Sequence, residues 1–205
     1  MHPWRARLDR WFTPIARRLP VSPNAVTLAA LALNLTAAAM MYLGSRTPLL
    51  FLASIAFLAA GGFADALDGI VARLHGKQSR LGDFLDHFCD RVSDLTVAAG
   101  WMLGSGVRAE FVAVSLVAVA LNGYIGTQIE ATWRERNYES IGRGEFVLAL
   151  VVFPIVSYIL AANGWQHIAP AGLTIAEWLT VLLALFAFAG TAQRFTLARS
   201  LERSE

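Results

Sequence analysis

Cysteine is almost missing from this sequence: Cys89 stands alone, which excludes an internal disulfide and leaves the fold to packing. It lies in an apolar stretch and reads as a small packing residue rather than a nucleophile. Charge is scarce too, at 16% of 205 residues against 56% hydrophobic, too little polar surface to wrap a soluble globule of this size. No Ser/Pro-rich linker, low-complexity tract or repeat interrupts the chain, so a single domain over 1–205 is expected. Long apolar runs recur from end to end, as in a membrane protein. The net charge of +2 does not mark a nucleic-acid binder, because the arginines sit at the ends of apolar segments, where membrane topology requires them.

The pattern predicts an all-α integral membrane protein with six transmembrane helices, at about 22–43, 49–73, 82–104, 107–133, 144–163 and 173–195, each near the roughly 20 residues that cross a bilayer. Ahead of them, Trp4, Leu8, Trp11, Phe12, Ile15 and Leu19 recur at helical spacing with arginines between, which predicts an amphipathic juxtamembrane helix over 1–20 lying in the interface. A signal peptide is the rival reading; the apolar run that follows is long enough to span, and no small-residue cleavage site ends it. Counting Lys and Arg in alternate connections places fifteen on one side and leaves only Arg46 and Arg108 for the other. The positive-inside rule then puts both termini in the cytoplasm.

Acidic residues are rare outside one region. Of the fifteen in the chain, six fall between 65 and 94: Asp65, Asp68, Asp83, Asp86, Asp90 and Asp94. A carboxylate inside a span costs a few kcal/mol unless paired or solvated, which makes each a functional candidate by default. Asp65 and Asp68 are three apart and Asp86 and Asp90 four apart, so each pair projects from one face of its helix. The short connection between the two helices predicts antiparallel neighbours with the carboxylates facing each other near the cytoplasmic end. Four such groups repel unless cations join them, and all-oxygen ligation selects Mg²⁺ or Mn²⁺, with room for two ions. Gly69 and Gly82 permit close approach at the same level, and Arg73 can reach a phosphate. The bland reading pairs these aspartates with Arg73, Arg80 and Arg91, but three arginines cannot answer six carboxylates. Asp83 and Asp94 are the members expected to serve as such partners. A cation transporter using the carboxylates as ion ligands is an alternative of a different class.

The run Asp65-Ala66-Leu67-Asp68-Gly69-Ile70-Val71-Ala72-Arg73, eight further residues, then Gly82-Asp83-Phe84-Leu85-Asp86-His87-Phe88-Cys89-Asp90 resembles the signature of the CDP-alcohol phosphotransferase family, D-x2-D-G-x2-A-R-x8-G-x3-D-x3-D. The resemblance implies that Asp65, Asp68, Asp86 and Asp90 hold the metals and that Asp90 is also the general base. It further implies a CDP site lined by Asp68, Gly69, Ala72, Arg73 and Gly82, with Asn24 and Thr27 of the segment Ser22-Pro23-Asn24-Ala25-Val26-Thr27 beside it. The implied partners are a CDP-lipid donor, a small polar alcohol acceptor, membrane lipids and a second copy of the chain.

Arg134, Arg136, Arg143 and Arg194, at the cytoplasmic ends of the last three helices, are candidates for holding an acceptor phosphate. The inositol-phosphate branch of the family typically carries a serine and a lysine on the fourth helix. Here the corresponding stretch is Gly123-Tyr124-Ile125-Gly126-Thr127-Gln128, with Phe146 where a basic residue is usual in the fifth. His87 between Asp86 and Asp90 resembles the arrangement in choline and ethanolamine phosphotransferases, an alternative in which it acts as a second base. Cys89-Asp90-Arg91-Val92-Ser93-Asp94 is more like the phosphatidyl-transferring branch.

Overall fold

The computed structural model describes residues 12–14, 16–17, 21–133 and 143–203. Among the described residues there are six long helices, α1 (Pro23–Leu43), α2 (Leu49–Leu74), α3 (Arg80–Gly104), α4 (Ala109–Trp133), α5 (Arg143–Ala162) and α6 (Ile175–Glu202), with a 3₁₀ turn at Pro170–Gly172. The expected boundaries agree within about two residues, except that α6 runs on to Glu202 rather than ending near 195. No strand occurs among the described residues.

Local chemistry sets several of these ends. Ser22 caps α1, accepting from the Ala25 N–H, with Pro23 in the first turn, where its missing N–H costs nothing. Thr174 and Glu177 form a reciprocal capping box at the start of α6. Between α2 and α3, Gly76 takes a left-handed φ of 62°, and the Lys77 N–H closes back on Ala72 O at 3.0 Å. Ser79 then caps α3 by accepting from the Gly82 N–H at 3.0 Å.

Four of the helices, α1, α2, α4 and α6, are long and apolar enough to cross a membrane. By the same measure α3 and α5 fall short of the six spans expected. The first half of α3 carries the charged run from Arg80 to Asp94, and the described apolar part of α5 is only Leu148–Ala162. The outer surface is apolar: Leu28, Leu49, Val117 and Leu185 are exposed, as suits lipid. Of the segment expected to form the amphipathic helix, residues 12–14 and 16–17 are helical and the rest lies outside the described residues. Phe12 meets the Phe63 ring edge-on at 4.8 Å, and Ala16 is fully buried in a small cluster with Val26, Leu67, Ile70 and Val71.

The main core occupies the half of the bundle remote from the aspartates, around Met41, Phe51, Val97, Trp101, Met102, Phe153 and Leu183. Polar staples reinforce that half. Trp101 Nε1 donates to Ser157 Oγ at 2.9 Å, and Arg108 Nε donates to the buried Glu177 carboxylate at 2.6 Å. Gly100 and Gly104, one turn apart on α3, let it run against the backbone of α1.

Helices α2 and α3 are not packed on each other along their length; each packs on α1, which holds them side by side. The reason is steric and electrostatic: glycines bring α3 onto α1, whereas the carboxylates facing across from α2 to α3 repel and need space between them.

A Cβ at Gly104 would stand 1.9 Å from Met41 O, so Gly104→Ala forces α1 and α3 apart and is expected to cost about 1–3 kcal/mol. Thermal unfolding of the detergent-solubilised protein reads this as a lowered midpoint. Gly62→Ala, where nothing lies within 4 Å, serves as the silent control; equal midpoints for both variants would contradict the close α1–α3 contact.

Candidate active site

Three of the four predicted metal ligands converge. Carboxylate oxygens of Asp65 and Asp68 on α2 and Asp86 on α3 all lie within 4.8 Å of one another. The i, i+3 spacing on α2 puts its pair on one face, and α1 keeps α3 at the distance from which Asp86 reaches across. Two oxygens on opposite sides of one Mg²⁺ are separated by about 4.2 Å, so this group fits a small divalent ion with a slight closing of the cleft. Hard oxygen donors on a water-poor helix pair suit such an ion chemically.

Asp90, one turn beyond Asp86, is not a member of that group of three. Its Oδ2 stands 4.0 Å from Arg91 Nη2, while the same nitrogen lies 3.1 Å from Asp94 Oδ2. Asp94 is thus an arginine partner, as expected from sequence. His87 approaches α4, with Nε2 3.9 Å from Glu130 Oε2. Cys89 is buried, as a small packing residue would be.

Asp68 is the deepest of the group, only 8% exposed. Its Oδ2 accepts a 2.5 Å hydrogen bond from the hydroxyl of Thr27, itself buried on the first turns of α1. That bond fixes the carboxylate's orientation and ties α1 to the cleft. Asn24, one turn earlier on α1, has its Oδ1 3.4 Å from where a Cβ at Gly82 would stand, so Gly82 is the point at which α1 and the start of α3 meet. On α2, the Arg73 guanidinium folds back over Gly69, with Nη1 3.4 Å from the position of a Cβ there. Ala72 is half-buried on the same helix. Asn24, Thr27 and Gly82 therefore gather around the start of α1, while Gly69, Ala72 and Arg73 lie at the end of α2.

Of the four arginines proposed for an acceptor phosphate, Arg134, Arg136 and the side chain of Arg143 lie outside the described residues. Arg194 on α6 reaches α4, where Nη1 donates to the Asn122 carbonyl and to Asn122 Oδ1. Its guanidinium lies against Gly126, whose Cβ would be 3.2 Å from Cζ. The sequence reading missed Asn122, Glu130 and the seating of Arg91 against Gly123. A signal existed: glycines three apart in an otherwise bulky membrane helix mark a close approach by a neighbour.

Residues 20–189 match the family described as CDP-alcohol phosphatidyltransferase. The chain belongs to that family. It is therefore a transferase, and the eight matched signature positions lie on the α2–α3 pair that frames the cleft. Among its relatives, the archaetidylinositol phosphate synthase of Pyrococcus horikoshii is 31% identical over 154 residues, covering 72% of this chain and 79% of that one. Two structures of the Mycobacterium tuberculosis phosphatidylinositol phosphate synthase share the fold at 24% identity. The one with CDP-DAG bound gives a TM-score of 0.69 over 92% of this chain and 94% of that one. The one in complex with manganese and citrate gives 0.68 over 91% and 88%.

Because Thr27 orients Asp68, Thr27→Val is expected to weaken Mn²⁺ binding by about 10–100-fold. Titration of the solubilised protein with Mn²⁺, followed by electron paramagnetic resonance, measures it. Asp83→Asn, outside the three-carboxylate group, should bind as the parent does; a Thr27→Val protein with undiminished affinity would show that the Thr27 hydroxyl does not orient Asp68 for the ion.

Proposed function

We propose that this chain transfers the phosphatidyl, or archaetidyl, group of a CDP-lipid to the hydroxyl of a phosphorylated polyol, such as glycerol phosphate or inositol phosphate, and releases CMP. The observation that carries the reading is the meeting of Asp65, Asp68 and Asp86 within 4.8 Å on the two helices that hold the family signature. The names of the relatives, inositol-phosphate lipid synthases, support a polyol phosphate as acceptor.

In this reading Asp65, Asp68, Asp86 and Asp90 hold one or two divalent ions, Mg²⁺ or Mn²⁺. When bound, the ions draw negative charge off the diphosphate and so stabilise the leaving CMP. Asn24, Thr27, Gly69, Ala72, Arg73 and Gly82 line the nucleotide's site, the glycines leaving space and the Arg73 guanidinium answering phosphate charge. Asp90 takes the proton of the acceptor hydroxyl and passes it to solvent. The acceptor oxygen forms its bond to the phosphorus that bears the lipid as the bond from that phosphorus to the CMP oxygen breaks. Arg194, with Arg134, Arg136 and Arg143, answers the acceptor's phosphate.

The proposal extends to topology and assembly. All six helices span the bilayer as one domain, α3 and α5 being admitted by their neighbours, with the interfacial helix before them and the termini and cleft on the cytoplasmic side. The excess of Lys and Arg at that end supports the orientation. A homodimer is included on the strength of the family alone.

Purified protein with Mg²⁺, labelled CDP-diacylglycerol and a panel of polyol phosphates should release CMP only when an acceptor is present. No release with any CDP-lipid would end the proposal. Within the same assay, Asp90→Asn is expected to keep CDP binding while losing on the order of 10²-fold or more in turnover, whereas Asp65→Asn weakens both. Equal nucleotide affinity in the two variants would contradict this division of roles.

A further inference from the structure

Arg91 has a seat that neither its membrane position nor the family signature explains. It follows Asp90 on α3, and a single nitrogen, Nη2, serves two carboxylates one helical turn apart, Asp94 at 3.1 Å and Asp90 at 4.0 Å. The other terminal nitrogen, Nη1, is pressed into α4 at Gly123. A Cβ on Gly123 would stand 1.9 Å from Nη1 and 2.9 Å from both Cδ and Cζ, so no other residue type leaves room for the guanidinium as it stands. Arg91 Nε is buried and has no hydrogen-bond partner among the described residues.

An arginine whose task was to anchor a helix end in the interface would extend its fork to water, where all its donors are met. Arg91 instead leaves one donor unmet and lies against backbone to keep Nη2 between two acidic groups. The side chain as a whole is 36% exposed, so it is Nε alone, shut off from water, that calls for an explanation beyond packing.

We propose that Arg91 is a positioning residue for Asp90, and that Gly123 is the slot that admits it. The strong pair with Asp94 clamps the guanidinium, and Nη2, so fixed, restrains the Asp90 carboxylate at 4.0 Å. At 4.0 Å the contact is a charge attraction across a short gap rather than a hydrogen bond. Two helices cooperate in this: α3 supplies the arginine and both carboxylates, and α4 supplies the wall. Gly123 thereby acquires a role in turnover although it brings no functional group. The inference rests on the transfer reaction proposed above, with Asp90 as its base.

The test uses the full chain in detergent or nanodiscs with Mn²⁺, CDP-diacylglycerol and the acceptor that supports CMP release. Arg91→Gln is expected to lower kcat on the order of 10²-fold, as misplacement of a reacting group does, with KM for the CDP-lipid and CDP affinity unmoved. Arg91→Lys, which keeps the charge but not the fork, should recover part of that loss. Gly123→Ala should reproduce the Arg91→Gln phenotype, and the double variant should be no slower than Arg91→Gln alone, because both changes remove one interaction. Thermal midpoints recorded alongside identify any variant that does not fold; should Arg91→Gln be one, the Arg91→Lys and Gly123→Ala rates decide. Undiminished kcat in the variants, a loss in which CDP affinity falls in step with kcat, or losses that multiply in the double variant would each overturn the positioning role. A parent protein that releases no CMP with any acceptor removes the transfer reading and this inference with it. An active parent whose variants match it removes the inference alone.

Discussion

Three carboxylates brought within 4.8 Å of one another inside an apolar bundle are the constraint around which the rest of this protein is arranged. Like charges so close repel by several kcal/mol wherever water is scarce, so the backbone that carries them has to be held from elsewhere. Helix α1 does this. It packs along both α2 and α3, and its Thr27 hydroxyl engages the most buried carboxylate directly. The cleft is therefore a gap between two helices that share a third as their support, and a divalent ion fits the space that repulsion keeps open.

The stabilising contacts lie mostly at the other end. Met41, Phe51, Trp101, Met102 and Phe153 pack into one apolar cluster there, closed by the Trp101–Ser157 and Arg108–Glu177 hydrogen bonds. Gly100 and Gly104 bring α3 to its closest approach to α1 in the same half, so α3 is fixed at one end and spaced away from α2 at the other. A charged end can be tolerated when the remote end supplies most of the packing, a division common where local stability is given up for function.

Glycine has two separate uses in this bundle. On α3 it lets backbone meet backbone; on α4, Gly123 and Gly126 make room for arginines arriving from α3 and α6. At the level of these two glycines the positive charge comes from Arg91 and Arg194 of the neighbouring helices. Cationic groups can thus stand at the level of the cleft although α4 itself contributes none of them there.

What the sequence determined by itself is considerable, and the reasons are local. Hydropathy periods and Gly or Pro punctuation placed all six helices, because a helix in an apolar setting is specified by its own residues and length. Spacings of three and four within Asp65–Asp68 and Asp86–Asp90 made the acidic faces legible, since side-chain direction on a helix follows from position alone. Tertiary structure alone decided which helices lean on which. It separated α2 from α3, brought Asp65, Asp68 and Asp86 together, left Asp90 beside Arg91, and seated Arg91 on Gly123 and Arg194 on Gly126. Those outcomes depend on interhelical distances that glycines and like charges set only once the whole bundle is packed, and no single helix carries that information.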